Sequence, residues 1–504
     1  MMTESPSLRP PKTAPAPPSK TVPAPPPKTP AAPPRTTFRP VEILFAVFAC
    51  AWALQALEEK SDRLTVAAFG TVDGFSDLLV IGSALAVLWR PSLRRFGIFA
   101  VFSSANFWVE IPQATNHLYA ITLINLGFLA HVAIGAIRAR RGGADYGPVV
   151  SEEFGVTVRA VMIGLYFIAA FHKLNAGFFD VELSCGPYIY THVGRLFWGV
   201  FPPLGTLPRI LFIYGALLAE FGIPLLLLSR STRRAGIVFG LLFHLFLGAR
   251  YPSFSTLAYA SYVYFLPPVL VSRWVEAGSR LVILGISGKW WFRLAAAGFP
   301  VFLFVLHKVA GWRGHHWGWM LVFTIVVPAA LVLLLRSRRE DWRIPDATAA
   351  PDPWTGRVIP GALVALLVVN GLGPYMGFKT ATALSMYSNL RTEQTSNHLL
   401  IPKGSLQVVD WQDDLVRIRS ATVEPYRRYA AEGVSLPLLE LRRRLNDDAQ
   451  AGASGISMVV EYRGVEHASA AMETHPVFAA PLENLLVRKL TLFRPVYPYA
   501  RCSW

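Results

Sequence analysis

The segment Tyr166-Phe-Ile-Ala-Ala-Phe-His-Lys-Leu-Asn175 closes an apolar run with a histidine and a lysine side by side. A charged amine in or near hydrocarbon is costly unless paired or hydrated, so Lys173 is a functional candidate by default. Desolvation favours the neutral amine, which can then accept a proton near neutral pH, whereas a nearby carboxylate opposes this. The competing reading is that Lys173 only anchors a helix mouth by snorkelling to the interface. Glu220 and His244 lie in later apolar runs and are its candidate partners; His172 and Asn175 flank it. His117, after Asn116 at the start of another run, is either an assisting group or a solvated cap. Asp77 and Glu110 also sit in apolar runs and need partners or water. His244, in the middle of its run, suits a hydrogen bond to a neighbouring helix. His315 and His316 are adjacent and would point apart on a helix. The three cysteines, Cys50, Cys185 and Cys502, form no pattern with metal-site spacing, so no metal is expected.

The elements that carry these residues are apolar. Of 504 residues, 53% are hydrophobic and only 16% charged, with a mean hydropathy of +0.39; a soluble domain carries about 25% charged residues. The net charge of +16 would suggest nucleic acid in a soluble protein. Here the basic residues stand in short loops between apolar runs, which a lipid bilayer explains better, and no nucleic-acid partner is expected. Apolar runs recur at 42–57, 75–89, 96–113, 118–137, 156–174, 208–229, 235–249, 255–271, 294–310, 317–335 and 358–374. They predict an all-α polytopic membrane domain of about eleven transmembrane helices. Residues 1–40 form a Pro-rich basic tail expected to be disordered. Residues 41–271 and 272–374 then divide the membrane part into two blocks of helices.

Charge sets the expected topology. With the tail in the cytoplasm, the inward loops hold Arg90, Arg94, Arg95, Arg138, Arg140, Arg141, Arg230, Arg233, Arg234 and the basic groups after residues 271 and 335. The inward side then counts roughly 25 basic residues against roughly 8 outside, as the positive-inside rule requires. The chain is thus expected in the cell (inner) membrane, N-terminus cytoplasmic and C-terminus extracytoplasmic. Lys173, His117 and the stretch from 375 to 504 fall on the outer side. That last stretch is polar, carries no spanning run and predicts a small α+β domain. Leu436–Asn446 suits an amphipathic helix, Ile456–Tyr462 and Leu485–Phe493 suit strands, and Arg463-Gly464 a turn. An oxidising compartment would permit a disulfide between Cys185 and Cys502.

Three of these segments also resemble, in order, the HTTM (horizontally transferred transmembrane) family, whose type member is a vitamin K-dependent gamma-carboxylase. Asn116-His-Leu-Tyr119 is similar to the family's Asn-His-x-Tyr, and Tyr166 to Asn175 to its Tyr-Phe-Ile-Ala-Gly-x-x-Lys-Leu-Asp. Phe243-His244, Phe254-Ser255 and Ser261-Tyr-Val-Tyr-Phe-Leu-Pro-Pro268 are similar to its Phe-His, Phe-Ser and hydrophobic-Pro elements. The resemblance covers residues 40–271. It implies that Lys173 is the base acting on a reduced, vitamin K-like quinone, that oxygen and carbon dioxide are co-substrates, and that a peptide or protein on the outer side is modified. It sets Glu220 where the family has an aspartate, and His172 where the carboxylase has a second lysine. The segments Tyr375–Thr380, Met386–Glu393 and Ser396–Pro402 look like a stretch attached to bacterial members. The alternative is a non-catalytic membrane module that binds lipid, or a protein partner through its outer domain.

Overall fold

A computed structural model describes residues 40–63, 71–142, 147–196, 203–248, 252–268, 270–271, 298, 302, 327–342, 354–499 and 502. The Pro-rich tail up to residue 39, His315, His316 and the run at 294–310 apart from residues 298 and 302 lie outside the described residues. Wherever an apolar run falls on described residues, a helix forms. The first five are α1 (Pro40–Arg63), α2 (Val72–Trp89), α3 (Leu93–Glu110), α4 (Asn116–Gly142) and α5 (Gly147–His172). Two short helices, α6 (Ala176–Phe179) and α7 (Cys185–Leu196), lead to α8 (Thr206–Leu228), α9 (Arg233–Gly248) and α10 (Pro252–Tyr262). Next come α11 (Val327–Arg336) and α12 (Ile359–Met376).

Among the described residues five helices are long and apolar enough to cross a membrane: α2, α4, α5, α8 and α12 with the turn before it. The chain is therefore a helical membrane protein by length and composition. Of the expected eleven spans the described residues show these five; other runs form shorter or less apolar helices, and the run at 294–310 and most of that at 317–335 fall outside the described residues. At 1.5 Å per residue, the 11 residues of α10 rise only about 16 Å, half a hydrocarbon core.

The loops explain the helix starts. Thr71 Oγ1 accepts from Gly74 N at 3.0 Å to open α2, and Ser92 Oγ from Arg95 N at 3.4 Å to open α3. Helices α1 to α5 run alternately up and down, so Arg90, Arg94, Arg95, Arg138 and Arg140 gather at one end and Glu110, Asn116 and Lys173 at the other. Toward the basic end the core is aromatic: Phe48, Trp52, Phe96, Phe128, Phe154 and Tyr264 pack ring on ring with centroids 4.7–6.3 Å apart.

The far end of the bundle is covered by residues 377–499. Gly377 ends α12 at φ +84°, and a Cβ there would collide with the Val409 carbonyl. The covering part holds a four-stranded antiparallel sheet of order β2-β1-β3-β4: β1 Leu415–Ala421, β2 Ser435–Pro437, β3 Met458–Tyr462 and β4 Val465–Ser469. Helices α13 (Tyr426–Ala431) and α14 (Leu438–Gln450) pack on it around Leu436, Leu441, Val460 and Phe478. The expected amphipathic helix, the strand ending at Tyr462 and the turn at Arg463-Gly464 are all present.

The expected strand at Leu485–Phe493 is instead a short helix, α15 (Leu485–Leu490), followed by extended chain. Asn484 decides this. Its side chain accepts from Leu486 N and Val487 N, a capping arrangement that starts a helix. The described residues cluster as part of one compact unit.

Candidate functional site

Lys173 follows the last residue of α5, where the chain leaves the helix and turns. Asn175 makes that turn: its Oδ1 accepts from Phe178 N at 2.9 Å, and its Nδ2 donates to the carbonyls of His172 and Ser388 at 2.8 and 2.6 Å. It is fully buried and couples the helix end to the covering domain, a positioning task rather than a chemical one. The lysine side chain turns back along α5, with Nζ 3.4 Å from the Ala169 carbonyl, and enters a cavity between α5, α8 and α9.

That cavity measures about 480 Å³. Its walls are apolar and aromatic: Phe178, Phe212, Phe239, Phe243, Phe246 and Phe254 surround it. Polar side chains enter at few points, namely Lys173, Glu220, Tyr166, Ser255 and Tyr387. Lys173 Nζ stands 2.9 Å from Glu220 Oε2, off the hydrogen-bond direction, with the lysine side chain 5% and the glutamate 13% exposed. The Phe178 ring lies 5.9 Å from the same amine, so the cation faces an aromatic wall as well as its counter-ion.

Behind the ion pair runs a second polar chain. The Tyr166 hydroxyl contacts His244 Nε2 and the Tyr262 hydroxyl, each at 2.5 Å, and His244 Nδ1 meets Ser255 Oγ at 3.3 Å. All four groups are buried, and together they fix the Tyr166 hydroxyl at the cavity wall. His244 thus makes the inter-helix hydrogen bond expected of it.

The roof comes from a segment far away in the chain. Met386 and Tyr387 line the cavity, and Leu384, Tyr387 and Asn389 are held at φ +61°, +52° and +54°. Bulky side chains seldom adopt that left-handed region. Hydrogen bonds hold the segment in place. Asn116 Oδ1 accepts from Leu384 N at 2.6 Å, and Asn389 accepts from Cys185 N and donates to the Leu183 carbonyl, both at 2.8 Å. A disulfide joins Cys185 to Cys502, Cα–Cα 5.0 Å, and packs beside Phe178 and Tyr387.

Two residues expected to assist Lys173 stand elsewhere. His172 is adjacent in sequence but points away, toward α12, where Gly371 and Tyr375 face its ring. Consecutive residues at a helix end project about 100° apart, which separates them. His172 is buried, and neither ring nitrogen has a hydrogen-bond partner among the described residues. His117 Nε2 instead lies 2.9 Å from Glu59 Oε2, beside Lys60, which pairs with Glu110 and lies 3.5 Å from Asp77. Asp77 and Glu110 thus have the partners that burial demands, but in a separate cluster. No group of three metal-ligating side chains is present among the described residues.

Two further titratable groups flank the bundle end without having stood out in the sequence. Burial pushes the Lys379 amine down to about 8; it donates to Asn370 Oδ1 and lies over the Tyr119 ring. Burial likewise holds His398 below the usual imidazole range. Its Nε2 faces the Phe171 carbonyl at 3.0 Å while Nδ1 accepts from Leu400 N and Ile401 N, which defines a neutral tautomer.

Fold and site together define a helical membrane protein with an apolar cavity that holds one buried amine–carboxylate pair under a disulfide-tied roof. No family model matches the chain, nor does any curated protein or solved structure.

Proposed function

We propose that this chain is a membrane enzyme of the HTTM, vitamin K-dependent gamma-carboxylase-like class, with Lys173 as the base acting on a reduced quinone. The observation that carries the reading is the Lys173 amine projecting into an aromatic-walled cavity of about 480 Å³. That volume lies within the range of about 300–1,000 Å³ typical of small-molecule sites. The donor set fits a flat, hydroxylated ring. The phenylalanines offer faces for stacking, and the polar groups gather at Lys173, Glu220 and Tyr166.

A bound reduced quinone would supply the reducing electrons and the acidic hydroxyl. The hydroxyl proton would pass to Lys173 as the ammonium hands a proton on to Glu220, so the pair acts as a relay and the carboxylate ends protonated. Tyr166, locked by His244 and Tyr262, donates a hydrogen bond at the wall. The Phe-rich lining and the Met386–Tyr387 roof exclude water, so the charge left after proton transfer is not quenched by solvent. Oxygen and carbon dioxide would be the co-substrates. A peptide or protein modified on the outer face is the acceptor in this reading, with the tail cytoplasmic, the covering domain extracytoplasmic and about eleven spans in all.

Quinol-dependent oxygen uptake by the full chain in proteoliposomes tests the reading. Lys173→Ala should abolish uptake, and so should the double variant Lys173→Met/Glu220→Gln, which leaves no buried charge unpaired and should insert and extract like the wild type. Uptake by the variants equal to that of the wild type refutes it. The ion pair also favours a second reading, a non-catalytic module whose cavity holds a lipid. In that case Lys173→Met together with Glu220→Gln would retain every property of the wild type.

A further inference from the structure

We propose that the covering domain is seated in the interfacial layer of the bilayer through two apolar rims, the loop 399–408 and the short helix α15. This rests only on the membrane-spanning character of the bundle and holds whether or not Lys173 does chemistry.

The helices supply a depth scale. Between His117 and Arg138, α4 has a stretch of 20 residues without Asp, Glu, Lys or Arg, Leu118 to Ile137, which rises about 30 Å, the thickness of a hydrocarbon core. Arg138 bonds Glu153 at 3.2 Å and so transfers its level to α5. From Glu153 to Leu174 is again about 30 Å at 1.5 Å per residue. From Arg357, in the turn before α12, to Met376 is about 28 Å by the same measure. Leu174 and Met376 therefore mark the far boundary of the core.

Both rims hang from that boundary. Leu399 N donates to the Leu174 carbonyl at 2.9 Å, and Val408 N to the Met376 carbonyl at 3.0 Å. Between these ties the loop exposes Leu399, Leu400, Leu406 and Val408, each 43–64% accessible. The second rim is tied to the end of α3, where Lys489 Nζ donates to the carbonyls of Trp108, Val109 and Ile111 at 3.0–3.3 Å. It exposes Leu485, Leu486 and Leu490 beside an exposed Trp108.

Scattered surface leucines need no explanation in water. Seven aliphatic side chains on segments bonded to the ends of three bundle helices, with a tryptophan and basic residues Arg488 and Lys489 at the same level, have the composition of an interfacial anchor. The occupant is the boundary between lipid headgroups and acyl chains, continuous with the lipid-facing surface of the helices. A consequence is that the roof segment 384–389 is held at a constant depth over the cavity.

Fluorescence quenching of the full chain in phosphatidylcholine–phosphatidylglycerol vesicles tests this. A small thiol-reactive dye is placed by Leu400→Cys or Leu486→Cys in a Cys50→Ala background, which leaves the Cys185–Cys502 disulfide closed. Val369→Cys, on the lipid-facing side of α12 and 58% exposed, is the deep reference, and the dye–glutathione adduct the aqueous one. The expected result is strong quenching at 400 and 486 by lipids with a nitroxide near the headgroup, and iodide quenching several-fold weaker than for the adduct. Iodide quenching equal to that of the adduct, without quenching by nitroxide lipids, overturns the proposal. Protection from both quenchers also overturns it, because the rims would then be covered by protein.

Discussion

Removing Glu220 strands the Lys173 ammonium among phenylalanines, and the size of the resulting penalty can be worked from the geometry. At 2.9 Å and an effective dielectric constant of about 20, the Coulomb attraction has a ceiling of about 6 kcal/mol. Desolvation of both groups offsets most of that in the intact pair, so the pair itself adds little net stability. Breaking it is different: Glu220→Gln, or Lys173→Met alone, should cost about 3–5 kcal/mol, because one charge stays buried without its partner. The double variant Lys173→Met/Glu220→Gln removes both charges at nearly constant volume and should recover most of the loss. The assay is a double-mutant cycle on unfolding of the full chain in detergent micelles, followed by tryptophan fluorescence. A coupling energy of about 2 kcal/mol or more is expected for groups in direct contact. Additivity of the two single changes would refute the argument, since it would mean that water reaches the pair. The double variant also separates structure from chemistry, being folded but lacking the base.

Other outcomes follow from the same contacts. At Gly240 a Cβ would collide with the Tyr262 hydroxyl, so Gly240→Ala should displace the Tyr166–His244–Tyr262 chain and cost about 1–3 kcal/mol of stability by overpacking. His398 is held below the imidazole value of the unfolded chain, about 6.5, so the native state binds fewer protons and stability falls as pH drops through 6.5. Protection of the Leu400 and Ile401 amides, which bond His398 Nδ1, measured against their intrinsic exchange rates, should fall below that pH, and His398→Gln should remove the dependence. Cys502→Ser should abolish the reduction-dependent gel shift and destabilise the roof by about 2–4 kcal/mol, read as lower protease resistance around residues 384–389.

Much of the architecture was legible because lipid imposes a strong pattern. The apolar runs on described residues coincide with helices to within a few positions, except at the start of α5, where Gly147–Gly155 carries polar residues outside the expected run, and in the run 255–271, where α10 stops at Tyr262 and a single 3-10 turn follows. Lys173 could be singled out because a cation in an apolar run has few bland explanations, and Glu220 because it is the carboxylate of the neighbouring long helix. The rest of the cavity depends on tertiary packing that no local pattern encodes. Met386 and Tyr387 are brought over Lys173 by a loop more than 200 residues away, and Tyr166 reads as an ordinary core aromatic until His244 and Tyr262 are seen to grip it. His172 and His117 were misleading for opposite reasons. One is adjacent in sequence but turned to another helix face, and the other sits at the same bundle end but is held by Glu59. The Leu485–Phe493 stretch looked extended because its aliphatic residues outweighed a single capping asparagine.

The central claim is that the cavity beside Lys173 binds a reduced quinone ring. Photo-crosslinking with an azido-naphthoquinol, followed by peptide mapping, tests it most directly. Gly215 lines the cavity and has open space where a Cβ would stand, so Gly215→Trp fills the site without disturbing the backbone. The account predicts that the label falls on the α8 and α9 peptides carrying Leu211 to Glu220 and Phe239 to Leu247, and that Gly215→Trp removes it. Labelling spread over the lipid-facing helices, and unchanged by Gly215→Trp, would contradict it.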